Sequence, residues 1–211
     1  MLFKDRHDAG VQLSSLLQKY KGAKEAVVLG ITRGGVPVAY EVAKALKLPL
    51  NVIVIRKIGA PGNEELAIGA INEKGEGVFN DNLIAILGVS SDYLKREIEK
   101  EKRIAAERLA FYRGSHPAFD VKGKTVILID DGIATGASIK AAIKALRLEE
   151  PQKIVLAVPV APSGSLKDLG KEVEEIISLS TPSFFESVGS SYKFFDQITD
   201  KEILRLLSSE R

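Results

Sequence analysis

The chain has 211 residues, 45% of them hydrophobic and 27% charged, with a formal net charge of +2. That length and mix fit one well-buried domain with room for a small subdomain, and the mild charge gives no ground for nucleic-acid binding. Zero cysteine excludes disulfides, thiolate metal sites and cysteine nucleophiles; the start, Met-Leu-Phe-Lys-Asp-Arg, lacks the apolar core of a signal peptide, and no apolar run approaches the ~20 residues of a membrane span, so a cytoplasmic protein without membrane contact is expected.

Leu13, Leu16, Leu17 and Tyr20 recur at helical spacing and predict an opening amphipathic helix. Ala26 to Gly30 reads as a strand. Ala39, Val42, Ala43 and Leu46 mark the next helix, and Leu50 to Ile55 a second strand. This β-α-β alternation predicts a parallel sheet with right-handed crossovers. Residues 56–80 interrupt it with glycine, proline and charge. Within them, Leu66 to Ile71 and Gly77 to Phe79 flank Asn72-Glu-Lys-Gly-Glu, the pattern of a hairpin. A charged helix is expected from Ser91 to Tyr112, with Leu94, Ile98, Ala105 and Leu109 inward and pairs such as Glu99 and Arg103 on a solvated face. Later strands are expected at Ile154 to Val158 and Glu175 to Leu179, then an aromatic tail and a short helix near Lys201 to Leu207.

The most informative run is Val126-Ile-Leu-Ile-Asp130-Asp131-Gly132-Ile133-Ala134-Thr135-Gly136-Ala137-Ser138. Four apolar residues read as a buried parallel strand with two carboxylates at its carboxyl end. Ile139, Ala142, Ile143 and Leu146 then continue as a helix. The loop between brings backbone N–H groups to the positive end of a helix, where open α/β sheets bind ligands. Gly132 and Gly136 let the backbone curl round an anion, and Thr135 and Ser138 add hydroxyl donors. Like charge keeps Asp130 and Asp131 off that phosphate; they suit the hydroxyls of an attached sugar, or a magnesium ion. A sugar phosphate fits this layout better than bare phosphate.

The run closely resembles the thirteen-residue signature of the type I phosphoribosyltransferases, which bind 5-phosphoribosyl-1-pyrophosphate (PRPP). The resemblance implies an α/β fold, an open parallel sheet flanked by helices with a small hood subdomain. The hood would combine residues 56–80 with the C-terminal residues 181–211, in a single domain over 1–211. It also implies that Asp130 and Asp131 hold the ribose and that Ile133 to Ser138 cradle the 5′-phosphate. A second glycine loop, Gly30-Ile31-Thr32-Arg33-Gly34-Gly35, follows the first strand. In the family the loop at this place binds pyrophosphate, so Thr32, Arg33, Gly34 and Gly35 are assigned there, with a cis peptide expected next to Thr32 or Arg33. Arg56-Lys57-Ile-Gly59-Ala-Pro61-Gly62 corresponds to the family's flexible loop, which closes over the site and excludes water.

On this resemblance the chain transfers phosphoribosyl from PRPP to a nitrogenous base, a purine among the candidates, releasing pyrophosphate. Arg33, Lys57 and Asp131 carry the catalysis, and Arg56 joins the binding residues. Mg²⁺ is the expected cofactor, carried on PRPP and touching Asp130 or Asp131 indirectly. Hypoxanthine-guanine enzymes carry an aspartate where this chain has Ala134, which counts against a 6-oxopurine acceptor. Adenine enzymes share the Ala-Thr-Gly core and a loop like Arg56 to Pro61, but their loop glutamate falls near Ala67, with Glu64 and Glu65 close by. The whole chain is most similar to phosphoribosyltransferase-domain proteins with no assigned base. A PRPP-sensing regulator on the same fold is the rival reading, and a homodimer is left open.

The tail from Phe184 to Gln197 holds five aromatic side chains: Phe184, Phe185, Tyr192, Phe194 and Phe195. They serve either core packing or stacking on a flat base. His7 and His116 have no evident partner in sequence and are expected at the surface.

Overall fold

A computed structural model describes residues 2–114 and 120–209. The elements are α1 (Arg6–Leu16), β1 (Ala26–Ile31), α2 (Gly35–Leu46), β2 (Leu50–Ile53), β3 (Arg56–Ala60), β4 (Asn63–Ile71), β5 (Gly77–Phe79), α3 (Asp81–Ile86), α4 (Ser91–Arg113), β6 (Thr125–Ile129), α5 (Ala137–Leu148), β7 (Lys153–Val160), α6 (Ser163–Leu169), β8 (Glu175–Ser180) and α7 (Asp200–Ser209). Five strands form a sheet in the order β2-β1-β6-β7-β8. Every pairing in it is parallel.

Parallel strands covered on both faces need near-continuous apolar residues, and β1, β6 and β7 have them apart from Thr125 and Lys153 at the starts of β6 and β7. Val28, Ile127 and Val155 point to one face, where Leu13 of α1, Leu17 at its C-cap and Val38, Val42 and Leu46 of α2 cover them. Val27, Leu128 and Leu156 point to the other, against Ile139, Ile143 and Leu146 of α5. The period of two in the strands and the i, i+4, i+7 spacing in α5 are therefore two halves of one packing solution.

Strands β3, β4 and β5 make a second, antiparallel sheet. Ile58, Ile68 and Ile71 pack there against Leu94 and Ile98 from the first half of α4. Leu109 and Tyr112, in its second half, pack on Val52 and Val54 at the β2 edge with Ile203, Leu206 and Leu207 of α7. So α4 spans both sheets. On its exposed side Arg103 reaches forward to Glu107, while Glu99 pairs with Lys102 instead of Arg103.

One expectation needs correction. Residues 56–60 form a paired strand rather than a loop. The chain turns only at Pro61 and Gly62, where Gly62 takes φ +74°. Helix α7 packs with Val36 of α2, with Val52 and Val54, and with the second half of α4. The tail before it packs on the first residues of the chain. Phe3 and Tyr192 form a parallel bridge, and Phe3, Val160 and Tyr192 pack together with Phe185 and Val188 alongside. Among the described residues, no helix is long and apolar enough to cross a membrane.

Candidate functional site

The β1 and β6 strands are neighbours in register, with Gly30 beside Ile129. The loops leaving their carboxyl ends must therefore meet. Gly34, in the first loop, lies against Asp131, in the second: a Cβ at Gly34 would stand 2.7 Å from Asp131 Cγ and closer still to Oδ2. The Thr32–Arg33 peptide between these elements is cis, at the place the resemblance implies.

In the second loop Gly136 adopts φ +76°, left-handed backbone that glycine takes without strain. It is followed directly by α5, whose first turn leaves unpaired N–H groups. Among the described residues no hydrogen bond engages the N–H of Ala134, Thr135 or Gly136. Ile133 anchors this loop: its N–H donates to Val160 O at 2.9 Å and its side chain is fully buried in the core. It pins the loop to β7 and, with residues 134–138, borders the space beyond. A cavity of about 130 Å³ opens there, bordered by Lys57, Asp130, Thr135, Ser138 and Val188. A larger cleft of about 360 Å³ adjoins it, with Lys57 and Ser138 on both borders and Thr32, Arg33 and Arg108 among its walls.

The structure brings Thr32, Arg33, Arg56, Lys57, Asp130 and the 134–138 loop to one place, with Arg56 alone among these cations held in an ion pair. Arg56 Nε donates to Glu101 Oε2 at 2.6 Å, and Glu101 is buried. This charge is already matched by α4, and it ties the small sheet to that helix. Tyr93 Oη adds a second tie, donating to Gly59 O at 3.0 Å. Lys57, next along β3, is exposed and lies opposite Ala70. Among the described residues neither Lys57 nor Arg33 has an ion-pair partner.

The acidic pair is asymmetric. Asp130 Oδ1 accepts the N–H of Asp131 at 2.9 Å. Burial, then the adjacent Asp131 charge, holds the Asp130 carboxyl well above the usual carboxylate range, against the pull of that N–H, Arg6 and Lys57. Burial also raises Asp131, opposed by Arg6, whose Nε donates to Asp131 Oδ2 at 2.7 Å. Tyr192 Oη donates to the Asp131 carbonyl at 2.6 Å. Arg6 and Tyr192 were not assigned to the site from sequence. Neither sits in a glycine loop or beside an acidic run, and only the fold brings the two termini to β6. The donor set fits magnesium carried by a substrate diphosphate better than one held by protein alone. One of the two carboxylates is already ion-paired, and no cluster of three or more His, Cys, Asp or Glu suited to a metal occurs among the described residues.

Tyr192 is buried, whereas Phe184, Phe194 and Phe195 are exposed. His7 is not isolated as expected: its Nδ1 lies 3.0 Å from Glu41 Oε1. His116 falls outside the described residues.

A Thermus thermophilus protein, TT1426, known from a crystal structure, has the same fold. Its TM-score is 0.82 at 40% identity, with 99% of each chain covered. A Mycobacterium tuberculosis protein named, provisionally, a phosphoribosyl transferase is 42% identical over 209 residues, 98% of this chain and 46% of its own length. The bifunctional protein PyrR of Clostridium novyi is 26% identical over 146 residues, 69% of this chain and 62% of that one. The chain thus spans about half the length of the mycobacterial relative. The phosphoribosyl transferase domain family matches residues 8–193, nearly the whole sheet and both glycine loops, and the chain belongs to that family.

Proposed function

We propose that this chain binds PRPP with Mg²⁺ and transfers its phosphoribosyl group to a nitrogenous base. The observation that carries the reading is the meeting of two anion cradles around one acidic pair. The 134–138 loop, at the start of α5, suits the 5′-phosphate. Asp130 and Asp131 suit the ribose hydroxyls. Thr32 to Gly35, with Arg33, suit the diphosphate.

In the reaction a bond forms from the acceptor nitrogen to ribose C1 as the C1–oxygen bond to diphosphate breaks. The electron pair leaves with pyrophosphate, and the acceptor's N–H proton passes to the departing pyrophosphate or to water. Positive charge gathers on the sugar ring between these events, so positioning and charge neutralisation supply most of the rate. Asp130 and Asp131 orient the ring. Arg33 and Lys57 stand beside the cleft where negative charge grows on the leaving group. Magnesium carried on the diphosphate would supply further neutralisation, with Asp130 the carboxylate best placed to meet its hydration shell.

A purine is one candidate acceptor, and Ala134 counts against the 6-oxopurines, whose enzymes carry a carboxylate there. The rival reading is a PRPP-binding regulator without catalysis. Incubating the protein with PRPP, Mg²⁺ and a panel of purine and pyrimidine bases, with product analysis, decides between them. Nucleotide formed from one base supports transfer. PRPP binding with no base consumed supports the regulator.

A further inference from the structure

Arg6 opens α1. A cation in the first turn of a helix is disfavoured by the helix dipole, and Arg6 is also buried, at 8% exposure. Such a charge persists only where it is well paired. Three contacts hold it. Nε donates to Asp131 Oδ2 at 2.7 Å, Nη1 donates to the Asp196 carbonyl at 2.8 Å, and Cζ lies 3.8 Å from the centre of the Phe195 ring. The helix is fixed at this point by its own cap, Asp5 accepting the N–H of Asp8 at 2.9 Å. The tail is fixed by the hydrogen bonds of Lys193 N to Phe3 O and Phe194 N to Lys4 O, at 2.8 and 2.9 Å. Arg6, Phe195 and Asp196 all lie outside the residues 8–193 that the family matches, so this clamp is built from both ends of the chain.

We propose that Arg6 is the positioning residue of the ribose site, holding Asp131 by one oxygen so that Oδ1 is presented to a ribose hydroxyl, with Phe195 and Asp196 holding Arg6 in turn. The inference rests on the ribose phosphate reading of the signature loop. It follows that the two carboxylates are not equivalent. Asp131 is pre-aimed and ion-paired by Arg6, while among the described residues Asp130 accepts a hydrogen bond only from the backbone of its neighbour. A planar guanidinium donates along a fixed direction and stacks on a ring, which fixes the carboxylate better than an ammonium does. The Nη1 bond also makes the 189–196 segment part of the same unit, so the tail and the ribose contact stand or fall together.

The test separates the two ends of PRPP by titrating ribose 5-phosphate and pyrophosphate individually into the full chain by calorimetry. Arg6→Gln is expected to weaken ribose 5-phosphate binding by about tenfold, the scale of one charge-assisted contact, and pyrophosphate binding by less than about twofold. Arg6→Lys restores the charge without the fork and should recover part of the loss. A merely structural role would weaken both ligands alike, with no rescue by lysine, and that result overturns the proposal, as does unchanged ribose 5-phosphate binding in Arg6→Gln. If Arg6→Gln does not fold, Phe195→Ala carries the test, since it removes the stack and keeps the ion pair. A loss of about threefold for ribose 5-phosphate alone is expected, and equal binding contradicts the clamp. If the wild type binds pyrophosphate but not ribose 5-phosphate, the ribose reading beneath the inference fails, and the inference with it.

Discussion

Gly34 and Asp131 touch: the space a side chain at Gly34 would need is already filled by the Asp131 carboxylate. The loop after β1 and the acidic pair after β6 are thus fitted to each other before any ligand arrives. A site whose groups are already in place loses little freedom on binding.

Gly34→Ala should therefore act on both stability and binding. The new methyl must push Asp131 away from Arg6 or displace the Thr32–Gly35 loop, an overpacking cost of about 1–3 kcal/mol. Thermal unfolding should show the loss, and PRPP binding should fall with it. Unchanged unfolding together with unchanged PRPP affinity would show that the contact is soft.

Arg33→Ala and Lys57→Ala should differ in kind. Arg33 sits beside the cleft in a loop built on a core strand, so its loss should weaken ground-state pyrophosphate binding by about 1.5–3 kcal/mol, the scale of a charged hydrogen bond. Lys57 stands on β3, part of a small sheet that packs on α4. If closure occurs, the hairpin moves as a unit, and Lys57→Ala should lower turnover more than affinity. Pyrophosphate titration and steady-state kinetics, once an acceptor is in hand, check both. Equal losses of affinity with turnover intact would remove Lys57 from the closing element.

Arg56 should prove structural. Arg56→Met leaves buried Glu101 with only Lys100, 4.0 Å away, at a cost of about 3 kcal/mol in urea unfolding, the low end for a broken buried pair. The double variant Arg56→Met with Glu101→Leu should recover most of that, because no unpaired charge remains. If the single variant is as stable as wild type but loses pyrophosphate binding, Arg56 belongs to the ligand site after all.

Much of this fold is legible in the sequence, and the reasons are physical. The strands β1, β6 and β7 announce themselves because they are buried on both faces and so are apolar but for the first residues of β6 and β7, and α2 and α5 because one stripe of each faces that sheet. The signature loop is legible because glycines, hydroxyls and paired acids have few other reasons to stand together. The segment Arg56–Ala60 reads as a loop because its glycine and charges mask the alternation of a short antiparallel strand. Helix α6 (Ser163–Leu169) is hidden by Ser and Gly, which favour turns when read locally. Arg6 and Tyr192 reach Asp131 from opposite ends of the chain, a contact that no local pattern encodes.

Glu175 offers a check on stability that is independent of the site. It receives Lys19 Nζ at 2.6 Å, Tyr20 Oη at 2.7 Å and Lys153 Nζ at 2.9 Å, tying β8 to β7 and to the turn after α1. Burial alone would raise its pKa, but these three donors overcome that and hold it at about 2. Because the folded value lies below the unfolded one, the stabilisation is present above the ordinary value of 4.5 and is lost as pH falls from there through about 2. Glu175→Gln should cost about 1–2 kcal/mol near neutral pH in urea unfolding, with the difference from wild type closing as the acid limit is approached. A difference that stays constant down to that limit would mean the charge is not what stabilises.

The central claim, that this chain holds PRPP between two loops and an acidic pair, is tested most directly by calorimetric titration of PRPP with Mg²⁺ into the wild type and Asp131→Asn. A micromolar dissociation constant is predicted, roughly −8 kcal/mol, dependent on Mg²⁺, with a loss of about 1.5–3 kcal/mol in the variant. No binding to the wild type, or equal binding to both proteins, would contradict it.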